Sequence, residues 1–501
     1  MTHLRKQLSR NVWTSWVGYV VRIVISFLFV PYITSVLGDA RYGVWVIVFQ
    51  TINYFSLLDF GLEKALVRFI SKYVGQKASD RISRVLNTTF VLYLVIGSVI
   101  ILGAWLVSTL LFGYFKISDP ALEAEGRQAL IVIGVYMGTR LYLLPFAGSL
   151  GGFQRFDIAN MLYIVEDIVR TLVMVALLST GHGLVLLATA ILGVSLVRQI
   201  VAIIWSRALH PEVRFSLGDA DKSTALELFD YSRVTFGITL GWMVIYNTDS
   251  VLLGLMTSAA AAGIFAPAAQ MMLYLRNAIN VVATPLTTAV SQLEAQGNME
   301  AIRRLYLKGV RYAAYFSFFA SVGVMMFGKY FIDLWLVDEF FGAAEVMRIL
   351  AIGTAFFIPQ IIGNAILYGI DKHRYILRVV LIEAAVKLLL SFWLVPRYGM
   401  IGMAYASTVP QMLLYVSLYP VLIGRALSVS PVLIVFTLLR SAFLAIFVSF
   451  PTTLLLWQVL PPSGGVKFIA NVVIIICCWL IGAWFVLARE DRIRLLGRWA
   501  G

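Results

Sequence analysis

The sequence predicts an all-α, polytopic membrane protein of about 14 transmembrane helices, built as two pseudo-symmetric six-helix bundles followed by two C-terminal helices. Three observations lead there. Of 501 residues, 60% are hydrophobic and only 13% charged, against roughly a quarter charged in soluble domains, and the mean hydropathy is +0.87. Apolar runs long enough to cross a ~30 Å hydrocarbon core follow one another with short loops between them. One stretch, Gly152 to Gly181, returns about 217 residues later from Gly369. In both copies a glycine turn and a basic loop (Arg155; Lys372, Arg374) lead into an apolar helix with Glu followed four residues on by a cation, Glu166/Arg170 and Glu383/Lys387. Such pairs share a helix face in the favoured order, and charges repeated inside apolar spans suggest a duplicated transport machine.

Taken in order, the predicted spans cover residues 12–35, 43–62, 85–112, 128–150, 158–179, 184–206, 233–256, 264–290, 311–336, 346–368, 376–396, 401–423, 432–458 and 468–488. The first is too long for a signal-peptide core, carries Arg22 at mid-depth and lacks a small-residue cleavage site, so it is read as a retained helix. Leu37 to Trp45 (L-G-D-A-R-Y-G-V-W) forms a tight outer turn between antiparallel neighbours. Asp59 and Glu63 then lie near Lys64 and Arg68, at interfacial pairing distance. Residues 1–206 form the first lobe and 207–232 a cytoplasmic linker, whose second half, with Leu226 and Phe229, resembles a short amphipathic helix on the membrane surface. Residues 233–425 form the second lobe, and 426–501 the last two helices and a basic tail. The outer turn Thr257 to Gly263 leads into helix 8 much as Gly38 to Gly43 leads into helix 2. Each copy has an even number of spans and starts on the same side, so the halves are parallel repeats. Prolines inside spans (Pro145, Pro267, Pro359, Pro410, Pro420, Pro451) permit bends, either as hinges or as the ordinary tolerance of membrane helices.

The formal net charge is +14, and its placement argues against nucleic acid. Lys and Arg concentrate in alternate loops: the N-terminus, Lys64 to Arg84, Arg207 to Arg233, Arg303 to Arg311, Lys372 to Arg378 and Arg489 to Arg498. By the positive-inside rule both termini are cytoplasmic. Adjacent Cys477 and Cys478 in an apolar run and 4 scattered histidines give neither a disulfide framework nor metal spacing.

Inside the spans lie Arg22, Arg140, Arg170, Arg198, Arg276, Lys387 and, nearer the cytoplasm, Arg440, against Glu166, Asp167, Asp249 and Glu383. Each such charge costs roughly 2.5–3.5 kcal/mol at a helix centre, so seven facing lipid would oppose insertion by about 20 kcal/mol. They must face protein or water. Arg170 with Glu166 and Lys387 with Glu383 have structural pairs as one reading and substrate contact as the other. Arg22, Arg140 and Arg276 have no acid nearby on their own helical faces, and a guanidinium fork suits phosphate oxygens. Arg198 and Arg440 either line the same cavity or snorkel to the cytoplasmic face. The polar patch Tyr246-Asn247-Thr248-Asp249-Ser250 suits a Na⁺ or H⁺ site or, equally, a structural hydrogen bond. No phosphate-cradling loop or hydrolase spacing is present, so no enzyme and no further cofactor is expected.

L-G-D-A-R-Y-G-V-W, then L-L-D-F-G-L-E-K-A-L-V-R at Leu57 to Arg68, then N-T-D-S-V-L-L-G with A-G-I-F-A-P-A beyond it, resembles the polysaccharide flippases of the multidrug/oligosaccharidyl-lipid/polysaccharide exporter superfamily. The resemblance covers nearly the whole chain, through loose motifs. It implies two six-helix bundles around a cationic cavity falling here on Arg22, Arg140, Arg170, Arg276 and Lys387. It further implies a bacterial inner-membrane protein that moves an undecaprenyl diphosphate-linked oligosaccharide outward by rocking between two states, beside polysaccharide polymerase or assembly proteins. A lipid II flippase, a multidrug exporter of the same superfamily and a membrane scaffold of a glycan-assembly complex remain as alternatives.

Overall fold

A computed structural model describes residues 2–459, 461 and 465–486, apart from 77, 154, 212 and 214–219. Every regular element among the described residues is helical, in the order α1 (Thr2–Phe55), α2 (Leu62–Gly75), α3 (Ser79–Leu106), α4 (Pro120–Gly152), α5 (Phe156–Ser179), α6 (Leu184–Leu209), α7 (Lys222–Met256), α8 (Ala259–Ala295), α9 (Met299–Trp335), α10 (Gly342–Gly369), α11 (Arg374–Val416), α12 (Leu418–Leu427), α13 (Pro431–Val459) and α14 (Gly465–Val486), with short 3₁₀ and π turns between some of them. Among the described residues, nine helices are long and apolar enough to span a membrane. Two of them hold two expected spans each. α1 runs through a kink at Gly38 (φ 69°) and α11 through one at Gly399 (φ 55°), left-handed positions that glycine occupies without a Cβ clash. The chain thus has the all-α, multi-pass fold that the hydropathy predicted.

Two compact units divide at Gly263/Ile264. In the first, a buried cluster of Ala147, Leu150, Ile158, Leu162 and Ala202 joins α4, α5 and α6. α3 and α4 cross at Gly97 and Gly138, where a Cβ on either would press on the other's carbonyl oxygen at 2.8 and 2.7 Å. Small residues at a crossing let helices approach closely where lipid supplies no hydrophobic drive. α7 differs from expectation. The segment expected as a separate surface helix is instead the start of one continuous helix from Lys222, because no glycine or proline interrupts it before Gly237. Asp221 caps that helix, accepting from the Thr224 amide at 2.9 Å, and its own amide donates to Thr88 at 3.0 Å, fixing the helix start against α3.

In the second unit, α9 and α10 are joined by Ser317 and Ser321, whose hydroxyls donate to the Ala355 and Ala351 carbonyls at 2.9 Å. Two cations that set the predicted orientation also finish α12: Arg303, expected in a loop but placed in the first turns of α9, donates to the Leu427 carbonyl at 2.6 Å, and Lys372 of the α10–α11 loop donates to that of Ala426 at 3.0 Å. Cations at a helix C-terminus meet both its orphan carbonyls and its dipole. The basic tail Arg489 to Arg498 lies outside the described residues, as do the side chains of Lys64, Arg68 and Phe229.

Candidate functional site

In the first unit, α5 presents tandem acids, Glu166 and Asp167, and neighbouring helices answer them separately. Asp167 takes two guanidinium groups, Arg22 of α1 at 3.1 Å and Arg170 one turn on at 2.5 Å. Glu166 turns the other way, to Arg198 of α6 at 2.8 Å. That contact lies off the line a hydrogen bond from Nε needs, so it is an ion pair, and the guanidinium also sits 4.6 Å from the Tyr163 ring centre. The expected Glu166–Arg170 pair is therefore replaced. Three residues apart is as close as four on a helix, and α6 offers Glu166 a better-buried partner. Arg198 does not snorkel.

Exposure separates these two pairs. The Arg198 and Glu166 side chains are 7% and 6% exposed, whereas Arg22 is 62% exposed and Arg170 31%. Two arginines share one carboxylate, which leaves the trio one positive charge in excess, with its outer guanidinium face open. Half-buried Arg140 on α4 lies in the field of Glu63, Glu166, Tyr136 and Tyr163. Asp59 sits at the turn between α1 and α2. It accepts from the Tyr93 hydroxyl and from the Gly61 and Glu63 amides at 3.1 and 3.3 Å, the bonding of a residue that shapes a turn. In α7, Asp249 is 8% exposed, Asn247 is half-buried, and Thr248 accepts from Tyr54 of α1 at 2.6 Å.

The second unit encloses its charges instead. Glu383 and Lys387 on α11 are each 1% exposed, and Arg276 on α8 is 8% exposed. Glu383 accepts from the Tyr415 hydroxyl at 2.6 Å. Arg276, Lys387 and Gln411 all act on this carboxylate. Arg276 donates to Thr354 at 3.1 Å and lies 5.1 Å from the Phe357 ring centre, as a cation over a π-face does. Arg440 does not join this group; it lies on the exposed face of α13. A separate apolar cavity of about 620 Å³ opens between α8, α9, α10 and α14, lined by residues including Met271, Phe316, Phe331, Met347 and Trp479.

Sequence reasoning undervalued Asp167, although two acids in succession inside a span were a visible signal. It missed Tyr93, Tyr163 and Tyr415. Of these, Tyr415 had a trace, because Gln411 and Tyr415 lie four apart on one helix face.

The chain is similar to known proteins along most of its length. It is 23% identical over 428 residues to the probable flippase AglR of Haloferax volcanii, covering 84% of this chain and 82% of that one. It is 22% identical over 346 residues to the membrane protein EpsK of Bacillus subtilis, covering 68% and 67%. Among solved structures, the lipid II flippase MurJ in an inward closed conformation superposes with TM-score 0.73 at 14% identity, over 95% of this chain and 98% of that one. An inward-facing MATE multidrug transporter of the MOP superfamily gives 0.67 at 14% identity, over 82% and 98%. These likenesses establish the transporter fold. The polysaccharide biosynthesis protein family matches residues 8–291, more than half of the sequence, and the chain belongs to that family.

Proposed function

We propose that the protein is a flippase that carries an undecaprenyl diphosphate-linked oligosaccharide from the cytoplasmic to the periplasmic leaflet of a bacterial inner membrane, with both termini cytoplasmic. The observation that carries the reading is the Arg22–Asp167–Arg170 trio. Two guanidinium groups with one shared counter-charge keep outward-facing donors and a net positive field, which a diphosphate can engage bidentately. Arg140 adds charge in the same unit. The apolar cavity of the second unit supports the same substrate class, since a polyprenyl chain needs a dry surface. Transport is by alternating access, and Asp249 with Asn247 is the proposed site for a coupling Na⁺ or H⁺. Polysaccharide polymerase or assembly proteins are the proposed partners.

The test is reconstitution in proteoliposomes with fluorescent polyprenyl diphosphate-linked glycans, with and without ion gradients. Arg22→Ala and Arg170→Ala are each expected to lower flipping at least tenfold, and for Arg22, 62% exposed, the melting temperature is expected to stay within about 1 °C, because exposed charges contribute little to stability. Retained flux in both variants would sink the reading. The fold shared with MurJ makes lipid II the competitor to include; preferential flipping of lipid II would replace the polysaccharide substrate. Flux retained with lost assembly of a glycan-polymerising complex would instead support a scaffold.

A further inference from the structure

The polar stretch at the centre of α7 carries a ring pair that the charges leave unused. Trp242 and Tyr246 lie one turn apart, with ring centres separated by 5.5 Å and planes within 5° of parallel, and both side chains are half-buried. The apolar part of α7 runs over Phe236–Met256, so Tyr246 stands at its midpoint and Trp242 one turn, about 6 Å, toward its start. Asp167 likewise stands at the middle of α5. The ring pair and the Arg22–Asp167–Arg170 trio thus occupy similar depths in one unit.

Helix geometry sets the direction of the rings. Thr248, two residues beyond Tyr246, bonds to Tyr54 of α1 at 2.6 Å. Two residues turn a helix by about 200°, so Tyr246 faces away from α1. Exposed Thr239 precedes Trp242 by three residues and Tyr246 by seven, which puts it on the same stripe. Leu240, Val244 and Val251 form a second, partly open stripe that is wholly apolar. Hydrocarbon suits the second stripe, whereas a stripe with two hydroxyl-bearing side chains suits a wet cavity.

Two simpler accounts fall short. Aromatic belts anchor helices at headgroup level, and this pair sits at mid-span. A one-turn aromatic pair can stabilise its own helix, but that role needs neither parallel rings nor a half-open position. Parallel rings turn their faces the same way. A pyranose carries the complementary surface, a face of C–H bonds ringed by hydroxyls. The aromatic face is negative and apolar, so a sugar laid on it removes apolar area from water and leaves its hydroxyls wet.

We propose that the Trp242–Tyr246 pair is a glycan platform, on which a pyranose ring of the lipid-linked substrate lies, and that it distinguishes glycan-bearing lipid from bare polyprenyl diphosphate. This rests on the flippase reading. The arginine trio grips what both lipids share, and the platform grips what only one carries.

The probes are undecaprenyl diphosphate carrying N-acetylglucosamine and bare undecaprenyl diphosphate, titrated into the purified full-length protein in detergent. Trp242→Ala is expected to weaken binding of the sugar-bearing lipid about five- to a hundredfold, the range for losing an aromatic ring stacked on a ligand ring, and to leave the bare lipid within about twofold. Tyr246→Phe keeps the ring and is expected to bind as the parent does. The fluorescence of Trp242, taken as the difference between the parent and Trp242→Phe, is expected to shift with the sugar-bearing lipid alone, a readout that needs no truncated side chain. A Trp242→Ala variant that loses both lipids equally or neither, or fluorescence that does not tell the two lipids apart, overturns the platform. A parent that binds neither lipid overturns the flippase reading and the platform together, whereas an Arg22→Ala variant that binds both as tightly as the parent overturns the role of the arginine trio alone.

Discussion

The two copies of the repeated helix, α5 and α11, start from the same sequence pattern and end in different electrostatic states. In α5 each acid meets a guanidinium from another helix or turn, and the outer trio remains open. In α11 the acid and its cation are shut in at 1% exposure, and the Tyr415 hydroxyl donates to Glu383 at 2.6 Å. Arginine does not give up its proton in proteins, so the first copy is a fixed charge arrangement facing open space. The second is a sealed network of buried charges on α8 and α11. The same spacing of acid and cation thus ends open in α5 and sealed in α11, according to the neighbours that pack against each helix.

The largest expected effect breaks this contrast on its buried side. Glu166→Ala strands Arg198 at 7% exposure and is expected to cost about 3–5 kcal/mol, read as a fall in the melting temperature of purified protein. The apolar pair Glu166→Leu/Arg198→Met is expected to recover most of it, because an apolar replacement removes the desolvation cost of both charges. A double variant as unstable as the single one would show that the pair does more than hold α5 to α6.

A smaller effect tests the sealed copy. Tyr415→Phe removes the 2.6 Å donor to Glu383 and is expected to cost about 1–3 kcal/mol, the penalty for a buried acceptor left unmet. If Tyr415→Phe melts with the parent, Glu383 is adequately held by Arg276, Lys387 and Gln411, and the two copies are more alike than their exposures suggest.

The smallest effect lies outside the membrane and serves as a control on both. Bonds from the Thr224 amide and the Ser223 and Thr224 hydroxyls hold the Asp221 carboxyl well below the usual carboxylate range. A folded value below the unfolded one, near 3.9, means that the contribution is fully present above about pH 4 and is lost as the pH falls below it. Asp221→Asn keeps a capping side chain, so its melting temperature is expected to fall less steeply than the parent's below pH 4. Parallel curves would remove Asp221 from the account of how α7 begins.

Much of the fold was legible because lipid imposes one rule: backbone groups must bond within their own segment. Helix existence and the breaks between spans followed from that rule, and Gly38 and Gly399 stand at such breaks, where the chain kinks. The site was less legible. Glu166 and Arg170 are four apart and were expected to pair, yet the acid that meets Arg170 is its neighbour Asp167, and Arg22 finds the same acid from a helix 145 residues away. Spacing reports only partners on one helix. Partners on α1, α6 or the far end of α11 leave no local period.

The sequence alone determined that this chain spans a membrane as a duplicated helical bundle, and that cations exceed acids within the spans. Those properties follow from composition and period, which each segment carries for itself. Only the tertiary structure decided which cations are open and which are sealed. It also decided that Lys116 reaches the end of α7 from 140 residues away. Burial and pairing belong to the neighbours a residue acquires when helices pack, and in lipid those neighbours are chosen by close backbone fit and by the cost of an unanswered charge.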